Sequence, residues 1–368
     1  MNNHVAGEFI QTNCSACNAS FLTRNRKTYI IAREANYAFF NPIYGKLPDG
    51  RKNIDTDKFI CSNQNVFDSN THKLVATLYK HPRVPNSKNY GIEDIRLIDW
   101  NNKWYGFGTV PFSANDGTHA VMNTFEVTEN FNIANQRELP TTHKLEKNWQ
   151  PIQDWPFKLI YSYKPFMIID VNTMQYTPIQ SNKCDIAFSG SSQIVKYMDG
   201  YIGIIHTRND DNNRQYVHFI VRFDNKMNII AISPAFSFFG INIEFCTGIK
   251  YNIEHNELDI LMSVNDQLLF KFSLTKDDIM LIFAGKFTNS SVSPSIYDTM
   301  YYYSVTNKSY FTAAGFATWS NNSKLILNAL YLNQLDNIDG PDKEFIISRK
   351  YWLQQMLIKR HSSLIASK

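Results

Sequence analysis

The chain has 368 residues, of which 43% are hydrophobic and 14% aromatic, and its 37 Lys and Arg residues against 33 Asp and Glu residues give a net charge of +4. This composition excludes a disordered chain, and the scattered basic residues argue against a nucleic-acid partner. The length allows one or two domains, because all-β bodies often exceed ~200 residues as a single unit.

The cysteines and the first residues indicate the compartment. No spacing typical of a disulfide framework connects the five cysteines, which are Cys14, Cys17, Cys61, Cys184 and Cys246. Cys14 and Cys17 form a C-x-x-C pair without a second pair or a His pair at ligand spacing, so we expect no metal. The start lacks a secretory signal, and no stretch approaches the ~18 apolar residues of a membrane span. We therefore expect a cytoplasmic protein without a membrane partner.

Changes in residue composition along the sequence divide the chain into three segments. Residues 1–27 are polar and small, and we expect them to form an N-terminal extension. Residues 28–340 contain short β-branched and aromatic runs broken by polar turns, which are typical of strands. Residues 341–368 include one helical pattern at 349–360, capped by Ser348, which we expect to pack on the outside of the β body.

A hairpin of similar layout occurs three times in the strand-rich segment, at residues 95–110, 193–207 and 246–264. In each, an apolar strand meets a polar turn and a second strand follows. Weak self-similarity at irregular spacing is typical of β-propeller blades separated by variable loops. The sequence therefore predicts an all-β propeller with a short C-terminal helix, and a two-sheet sandwich is the structural alternative.

Three charged residues are crowded together where a loop enters the apolar strand at 95–100, namely Glu93, Asp94 and Arg96. Such charges are costly unless they pair with one another or take part in chemistry. Neighbouring side chains of a strand point to opposite faces, so Glu93 and Asp94 face one ligand only if the chain is kinked. We expect one acid to face a ligand and the other to be tied to the backbone or to Arg96; a loop-edge salt bridge is the alternative.

Further polar residues lie at the ends of predicted strands rather than in turns. Inner strands of a propeller run the same way along the central channel, so equivalent strand ends converge on one mouth. One acid cluster with several cations suits a site that transfers a proton while holding an anion. The residues concerned are Arg33, Asn36, Tyr37, Lys147, Asn148, Lys164, His206, Arg208 and Asp266.

The stretch YGIEDIRL at 90–97 resembles the G-[VI]-E-D-P-R-[IVL] motif of glycoside hydrolase family 130. These are five-bladed propeller enzymes that include β-mannoside phosphorylases and mannosyltransferase/phosphorylase relatives. Weaker matches follow in the same order as in the family: KNWQP at 147–151, YSYKP at 161–165, GYIGIIH at 200–206 and ILMSVND at 260–266. The resemblance implies a five-bladed β-propeller.

The resemblance also implies roles for individual residues. Asp94 corresponds to the catalytic carboxylate, which delivers a proton to the glycosidic oxygen while phosphate attacks the anomeric carbon from the opposite face. The resulting hypothesis assigns phosphate to Lys164, His206, Arg208 and Tyr216. It assigns the sugar to Arg33, Asn36, Glu93, Arg96, Lys147, Asn148 and Asp266.

Two departures from the family pattern leave open whether the reaction is a simple phosphorolysis. Ile95 replaces the motif proline, and Lys164 replaces an arginine, which exchanges a bidentate fork for a point charge. We therefore expect an inverting glycosyl-transfer enzyme, either a phosphorylase or a transferase that uses a sugar phosphate or nucleotide sugar. A glycoside hydrolase and a non-catalytic glycan- or protein-binding propeller are the alternatives.

The expected partners follow from this function. They are a carbohydrate and phosphate or an activated sugar as co-substrate, with no cofactor. The sequence does not decide between a monomer and a homo-oligomer.

Overall fold

The computed structural model describes residues 7–284, except for 10–15, 36, 39, 42–44, 47–51, 54–61, 81–89, 141–142, 180–187, 210–214, 235, 237–243 and 265–267. Five antiparallel sheets of four or five strands, which we number as blades 1 to 5 in chain order, form the body of this part of the chain. The five-bladed β-propeller predicted from the sequence is confirmed.

The blades are built from consecutive strands, with one exception in blade 5. Blade 1 contains Ala16–Arg24, Lys27–Ala35, Ser62–Asp68 and Leu74–Tyr79, and blade 2 contains Glu93–Trp100, Lys103–Ala114, Gly117–Val127 and Ile133–Glu138. Blade 3 contains Gln150–Ile152, Trp155–Tyr163, Phe166–Asp170 and Gln175–Pro178. Blade 4 contains Ser189–Gly190, Val195–Tyr197, Gly200–Asn209, Gln215–Phe223 and Ile229–Ile232. Blade 5 contains Glu244–Asn252, Glu257–Val264, Leu268–Thr275 and, out of sequence order, Gly7–Phe9.

The N-terminal residues close the ring. Gly7–Phe9 pairs antiparallel with Leu268–Thr275 as the outermost strand of blade 5. Ala16–Arg24 is the innermost strand of blade 1. Within residues 1–27, which we expected to form a polar N-terminal extension, both described strands thus belong to blades. The sequence left open whether an N-terminal or a C-terminal strand closes the propeller. Small side chains such as Ala19 and Ser20 are fully buried there, because the inner strand lies between two neighbouring blades.

The core consists of five apolar clusters, one in each space between adjacent blades. Each central strand is therefore buried on both faces, and its side chains alternate between two clusters. In blade 4, Ile202 and Ile204 face blade 5, whereas Tyr201 and Ile205 face blade 3. This two-sided burial explains why the strands are nearly continuous apolar runs.

The structure describes one α-helix, Lys276–Phe283, directly after the last blade 5 strand. Thr275 caps it by accepting a hydrogen bond from the Asp278 backbone N–H, and the Asp278 carboxylate accepts one from the backbone N–H of Thr275. Ile279 and Ile282 pack into the apolar cluster between blades 4 and 5.

Several predictions fall on residues outside the described part. The helix predicted at 349–360 and the boundary at 340 are among them.

Two small ribbons connect blade 1 strands, Tyr37–Ala38 with Lys52–Asn53 and Phe40–Asn41 with Gly45–Lys46. Within the described residues, no helix has the length and apolar character needed to cross a membrane.

Candidate functional site

The predicted site residues that the structure describes lie on or beside strand ends that meet at one mouth of the propeller channel. In every blade the start of the inner strand pairs with the end of the second strand, so ten strand ends surround this mouth. The pairs are Cys17 with Arg33, Glu93 with Thr109, Gln150 with Ile160, Ser189 with His206, and Phe245 with Ser263. Arg33, Asp94 and His206 are predicted from the sequence at such ends, and the strand register agrees.

The inner strand of blade 2 is kinked at Asp94. Its pairing with the second strand shifts register between Glu93 and Arg96, and Asp94 has a left-handed φ of 53°. Asp tolerates this conformation better than most residues do. The kink removes the strict alternation of a strand, so both Glu93 and Asp94 approach Arg33. Ile95, at the motif's proline position, is fully buried between blades 1 and 2.

Arg33 is shared between the two acids. Its Nη2 lies 2.5 Å from Glu93 Oε1, and its Nη1 lies 3.7 Å from Asp94 Oδ1. Ser62 Oγ receives a hydrogen bond from Arg33 Nε at 2.9 Å and lies 3.3 Å from Glu93 Oε1. The acid that we expected to be tied to the backbone or to Arg96 is therefore Glu93, and its cationic partner is Arg33.

Asp94 has a second contact that the sequence argument missed. Asn18, in the inner strand of blade 1, donates through Nδ2 to Asp94 Oδ1 at 2.7 Å. Ser263 Oγ, from blade 5, donates to Asn18 Oδ1. In the sequence, the signal for this contact is the mostly small and apolar run ACNASFL at 16–22, in which Asn18 is the one amide. This run lies in the predicted N-terminal extension, for which no site was expected.

Arg96 crosses the channel and connects the two sides of the site. Its side chain is fully buried, with Nη1 donating to the Asp94 carbonyl oxygen at 2.9 Å and Nε donating to the Ser191 carbonyl oxygen at 2.5 Å. Burial lowers the pKa of Arg96 to about 10, against the opposing effects of Asp94 and Cys246, so the group remains a cation at neutral pH. Arg96 thus joins the acid of blade 2 to blade 4.

His206 lies on the blade 4 side of this connection. Its Nδ1 is 2.7 Å from Ser191 Oγ, and its ring packs against Tyr216 and Phe245 at centroid distances of 5.2 Å each. Burial lowers the pKa of His206 well below its usual value, and the charges of His218, Arg96, Lys147 and Arg208 lower it further. His206 is therefore neutral at pH 7 and would contribute hydrogen bonds rather than charge.

Three exposed cations belong to the same side of the mouth. Lys147 precedes the inner strand of blade 3, Lys164 follows the second strand of that blade, and Arg208 lies two residues after His206 in blade 4. Lys147 and Arg208 lie near enough to His206 to affect its pKa. The site thus has its acid at blades 1 and 2 and its exposed positive charge at blades 3 and 4.

The remaining residues predicted to bind the sugar differ from one another in burial and in contacts. Asn148 has a left-handed φ of 65° and its carbonyl oxygen packs against Gly190, where a Cβ would overlap it. Arg33 and Arg96, predicted to bind the sugar, are 2% and 0% exposed and contact protein groups. Asn36 and Asp266 lie outside the described residues, as does Cys14 of the C-x-x-C pair.

The comparisons with known proteins concern the fold. No protein-family model matches the chain, and no curated protein matches its sequence. The β-1,2-mannobiose phosphorylase from Listeria innocua, solved with β-1,2-mannobiose, superposes with a TM-score of 0.50 at 11% identity, covering 76% of this chain and 93% of that one. Two Leishmania mexicana proteins, the mannose phosphorylase MPT-4 and the GDP-Man-dependent mannosyltransferase MPT-1, each give 0.47 at 14% identity.

The Leishmania matches cover 72% and 71% of this chain, respectively, and 85% of each of those proteins. At such low sequence identity the structural similarity indicates a shared fold and does not indicate a shared activity. The chain has the five-bladed β-propeller fold that its resemblance to glycoside hydrolase family 130 implied.

Proposed function

We propose that the protein is a carbohydrate-active enzyme that catalyses inverting glycosyl transfer, with Asp94 as its general acid/base. The observation that carries this proposal is the division of the mouth into an acid side and a cationic side. Asp94 is held by Asn18 and Arg33, and the exposed cations lie across the channel on blades 3 and 4. The sugar ring would lie between them.

In phosphorolysis the proton passes from Asp94 to the glycosidic oxygen, through a sugar hydroxyl as the resemblance implies. The bond between this oxygen and the anomeric carbon breaks, and a phosphate oxygen forms the new bond from the opposite face. One protein acid is sufficient because the nucleophile is already an anion. In a transferase reaction Asp94 removes the proton from an acceptor hydroxyl, and the acceptor oxygen forms a bond to the anomeric carbon of the donor. The bond from this carbon to the donor's phosphate oxygen breaks, and the cations hold the departing phosphate.

The other carboxylates near the mouth support this choice over a hydrolase. An inverting hydrolase needs a second carboxylate, typically ~6.5–9.5 Å from the first, to activate water. Among the described residues, Glu93 is adjacent to Asp94 and paired with Arg33, and Glu146 and Glu244 are buried. Glu146 accepts hydrogen bonds from Trp149 and Tyr161. None of these three is placed as a free base opposite Asp94.

The test is turnover by the wild type and by Asp94→Asn. Both are incubated with disaccharides including β-1,2-mannobiose in the presence and absence of inorganic phosphate, and with sugar 1-phosphates or nucleotide sugars plus acceptor glycans. We expect phosphate-dependent cleavage or donor-dependent synthesis, with inversion seen by NMR of the first-formed anomer. Asp94→Asn should reduce the rate by a factor of roughly 10² to 10⁴.

The matched control is Asp99→Asn, at the opposite end of the same strand. It should leave turnover close to that of the wild type. Turnover that survives Asp94→Asn contradicts the proposed mechanism. Cleavage that proceeds equally without phosphate identifies a hydrolase instead.

A further inference from the structure

We propose that Asn18 is a positioning residue that fixes Oδ1 of Asp94, so that Oδ2 is the oxygen that carries the transferred proton. This inference rests on the proposed function, in which Asp94 is the general acid/base. It assigns a role in the chemistry to the inner strand of blade 1, which also forms part of the closed ring.

The contacts of the two carboxylate oxygens differ. Asp94 Oδ1 accepts from Asn18 Nδ2 at 2.7 Å and is the oxygen nearest Arg33 Nη1, at 3.7 Å. Among the described residues, Oδ2 accepts no hydrogen bond, and the Asp94 side chain is 19% exposed. An oxygen that already accepts an N–H bond is a poor site for a proton, because the proton would face the donor hydrogen. The proton therefore resides on Oδ2.

The orientation of the Asn18 amide is set from the other side. Ser263 Oγ donates to Asn18 Oδ1, and it also lies 3.0 Å from the carbonyl oxygen of Phe245. Because the amide carries its acceptor at one end and its donors at the other, a donor at Oδ1 directs Nδ2 towards Asp94. Asn18 is 4% exposed and Ser263 is 1% exposed, so bulk water offers little competition for these bonds.

The backbone around Asn18 is held by the two neighbouring blades. Asn18 has a left-handed φ of 43°, at a register shift between Cys17 and Ser20. Ser20 Oγ donates to the Ile95 carbonyl oxygen at 2.5 Å, one residue after Asp94. Thr247 Oγ1 of blade 5 donates to the Ala19 carbonyl oxygen at 2.9 Å. The amide is therefore fixed by blades 2 and 5 together.

The Asn18 bond leaves Oδ2 as the oxygen that faces the substrate, because Oδ1 is occupied by the amide. Its loss should therefore slow proton transfer and lower kcat, while substrate binding and KM change little. A residue that only supports the fold would not separate the two constants in this way.

The test uses Asn18→Gly, because glycine keeps the left-handed backbone while it removes the amide. We expect kcat to fall by roughly 10- to 100-fold with KM changed less than about threefold. Asn18→Asp, which places a carboxylate instead of a donor beside Oδ1, should not restore kcat. Asn123→Ala is the control, because Asn123 is also buried but accepts from Gln136 in blade 2.

An activity-independent measurement keeps the inference separate from the proposed function. The ¹³C carboxyl resonance of Asp94, identified by its absence in Asp94→Asn, is recorded at one fixed pH in wild type and in Asn18→Gly. A changed chemical shift is expected because the hydrogen bond to Oδ1 is lost, and an unchanged resonance overturns the role of Asn18 whatever the turnover. If Asn18→Gly does not fold, Ser263→Ala takes its place and should also change the resonance. Turnover that survives Asp94→Asn, in contrast, defeats the proposed function alone.

Discussion

Arg33 Nη2 lies 2.5 Å from Glu93 Oε1 while Nη1 of the same guanidinium lies 3.7 Å from Asp94 Oδ1. The side chain of Arg33 is 2% exposed, so little water competes for it. Glu93 therefore takes the close contact and leaves Asp94 with the longer one. This arrangement keeps the positive charge near Asp94 without a tight ion pair.

Glu93→Gln should tighten the contact between Arg33 and Asp94, since the competing charge is gone. We expect kcat to fall by roughly 10-fold, because Asp94 held in a tight ion pair is less available for proton transfer. The loss of the charged partner should lower the free energy of unfolding by about 2 kcal/mol. Initial rates and urea denaturation measure both. An unchanged kcat would show that Glu93 does not draw Arg33 away from Asp94.

The sequence predicted the propeller but not the way its ring closes. Two-sided burial produces apolar runs such as 202–205, and these reveal strands without tertiary information. The pairing of Gly7–Phe9 with Leu268–Thr275 joins residues far apart in sequence, and the short polar N-terminal strands carry no strong periodic signal. For this reason residues 1–27 were assigned to an extension.

The site could be predicted in type but not in its contacts. Glu93, Asp94 and Arg96 are conspicuous because charges interrupt an apolar strand, and the required kink could be stated in advance. The partner of Glu93 could not, because Arg33 lies in another blade and is separated by 60 residues. Asn18 is an uncharged residue whose importance depends entirely on the blade packing that brings it to Asp94.

Gly248→Ala should test whether ring closure and the site are coupled. A Cβ on Gly248 would overlap the Ala19 carbonyl oxygen and lie 2.8 Å from Ser20 Cα, so the inner strand of blade 1 must shift. We expect a loss of about 1–3 kcal/mol in the free energy of unfolding, together with reduced kcat because Asn18 is adjacent to the displaced residues.

The control for this variant is Gly203→Ala, whose Cβ would meet mainly the end of the Ile194 side chain, which can rotate. It should cost less stability and leave kcat nearly unchanged. Urea denaturation and initial rates are measured for both variants. Equal losses of kcat in the two would indicate a general destabilisation rather than a coupling through the inner strand.

His206 should make stability depend on pH. Its pKa in the folded protein lies well below 6.5, mainly because it is buried and also because His218, Arg96, Lys147 and Arg208 are near. Below pH 6.5 the unfolded chain binds a proton at this residue that the folded chain does not, so the folded state loses stability as pH falls. The slope reaches at most about 1.4 kcal/mol per pH unit for one proton.

Urea denaturation between pH 5 and 7.5 checks this for the wild type and for His206→Asn. The wild-type free energy of unfolding should fall faster towards low pH than that of the variant. The difference between the two curves isolates the one group from other titrating residues. Parallel curves would mean that His206 takes up its proton equally in both states.

Lys164 should contribute to binding of phosphate or of the donor's phosphate rather than to proton transfer. It is exposed, follows Tyr163 at the cationic side of the mouth, and offers a point charge where the family motif has an arginine. An exposed charge pair is worth about 1 kcal/mol or less, so Lys164→Ala should raise the KM for phosphate up to about fivefold and leave kcat nearly unchanged. Raising the ionic strength should reduce the difference between the variant and the wild type.

The control is Lys196→Ala, an exposed lysine that pairs with Asp154 at 3.5 Å, next to the turns at the opposite end of the channel. It should not alter the KM for phosphate. Lys164→Arg should restore or tighten binding, because a guanidinium can hold two phosphate oxygens at once. Initial rates at varied phosphate concentration distinguish these outcomes. A fall in kcat at saturating phosphate for Lys164→Ala, with KM unchanged, would place this lysine in the chemical step and not in anion binding.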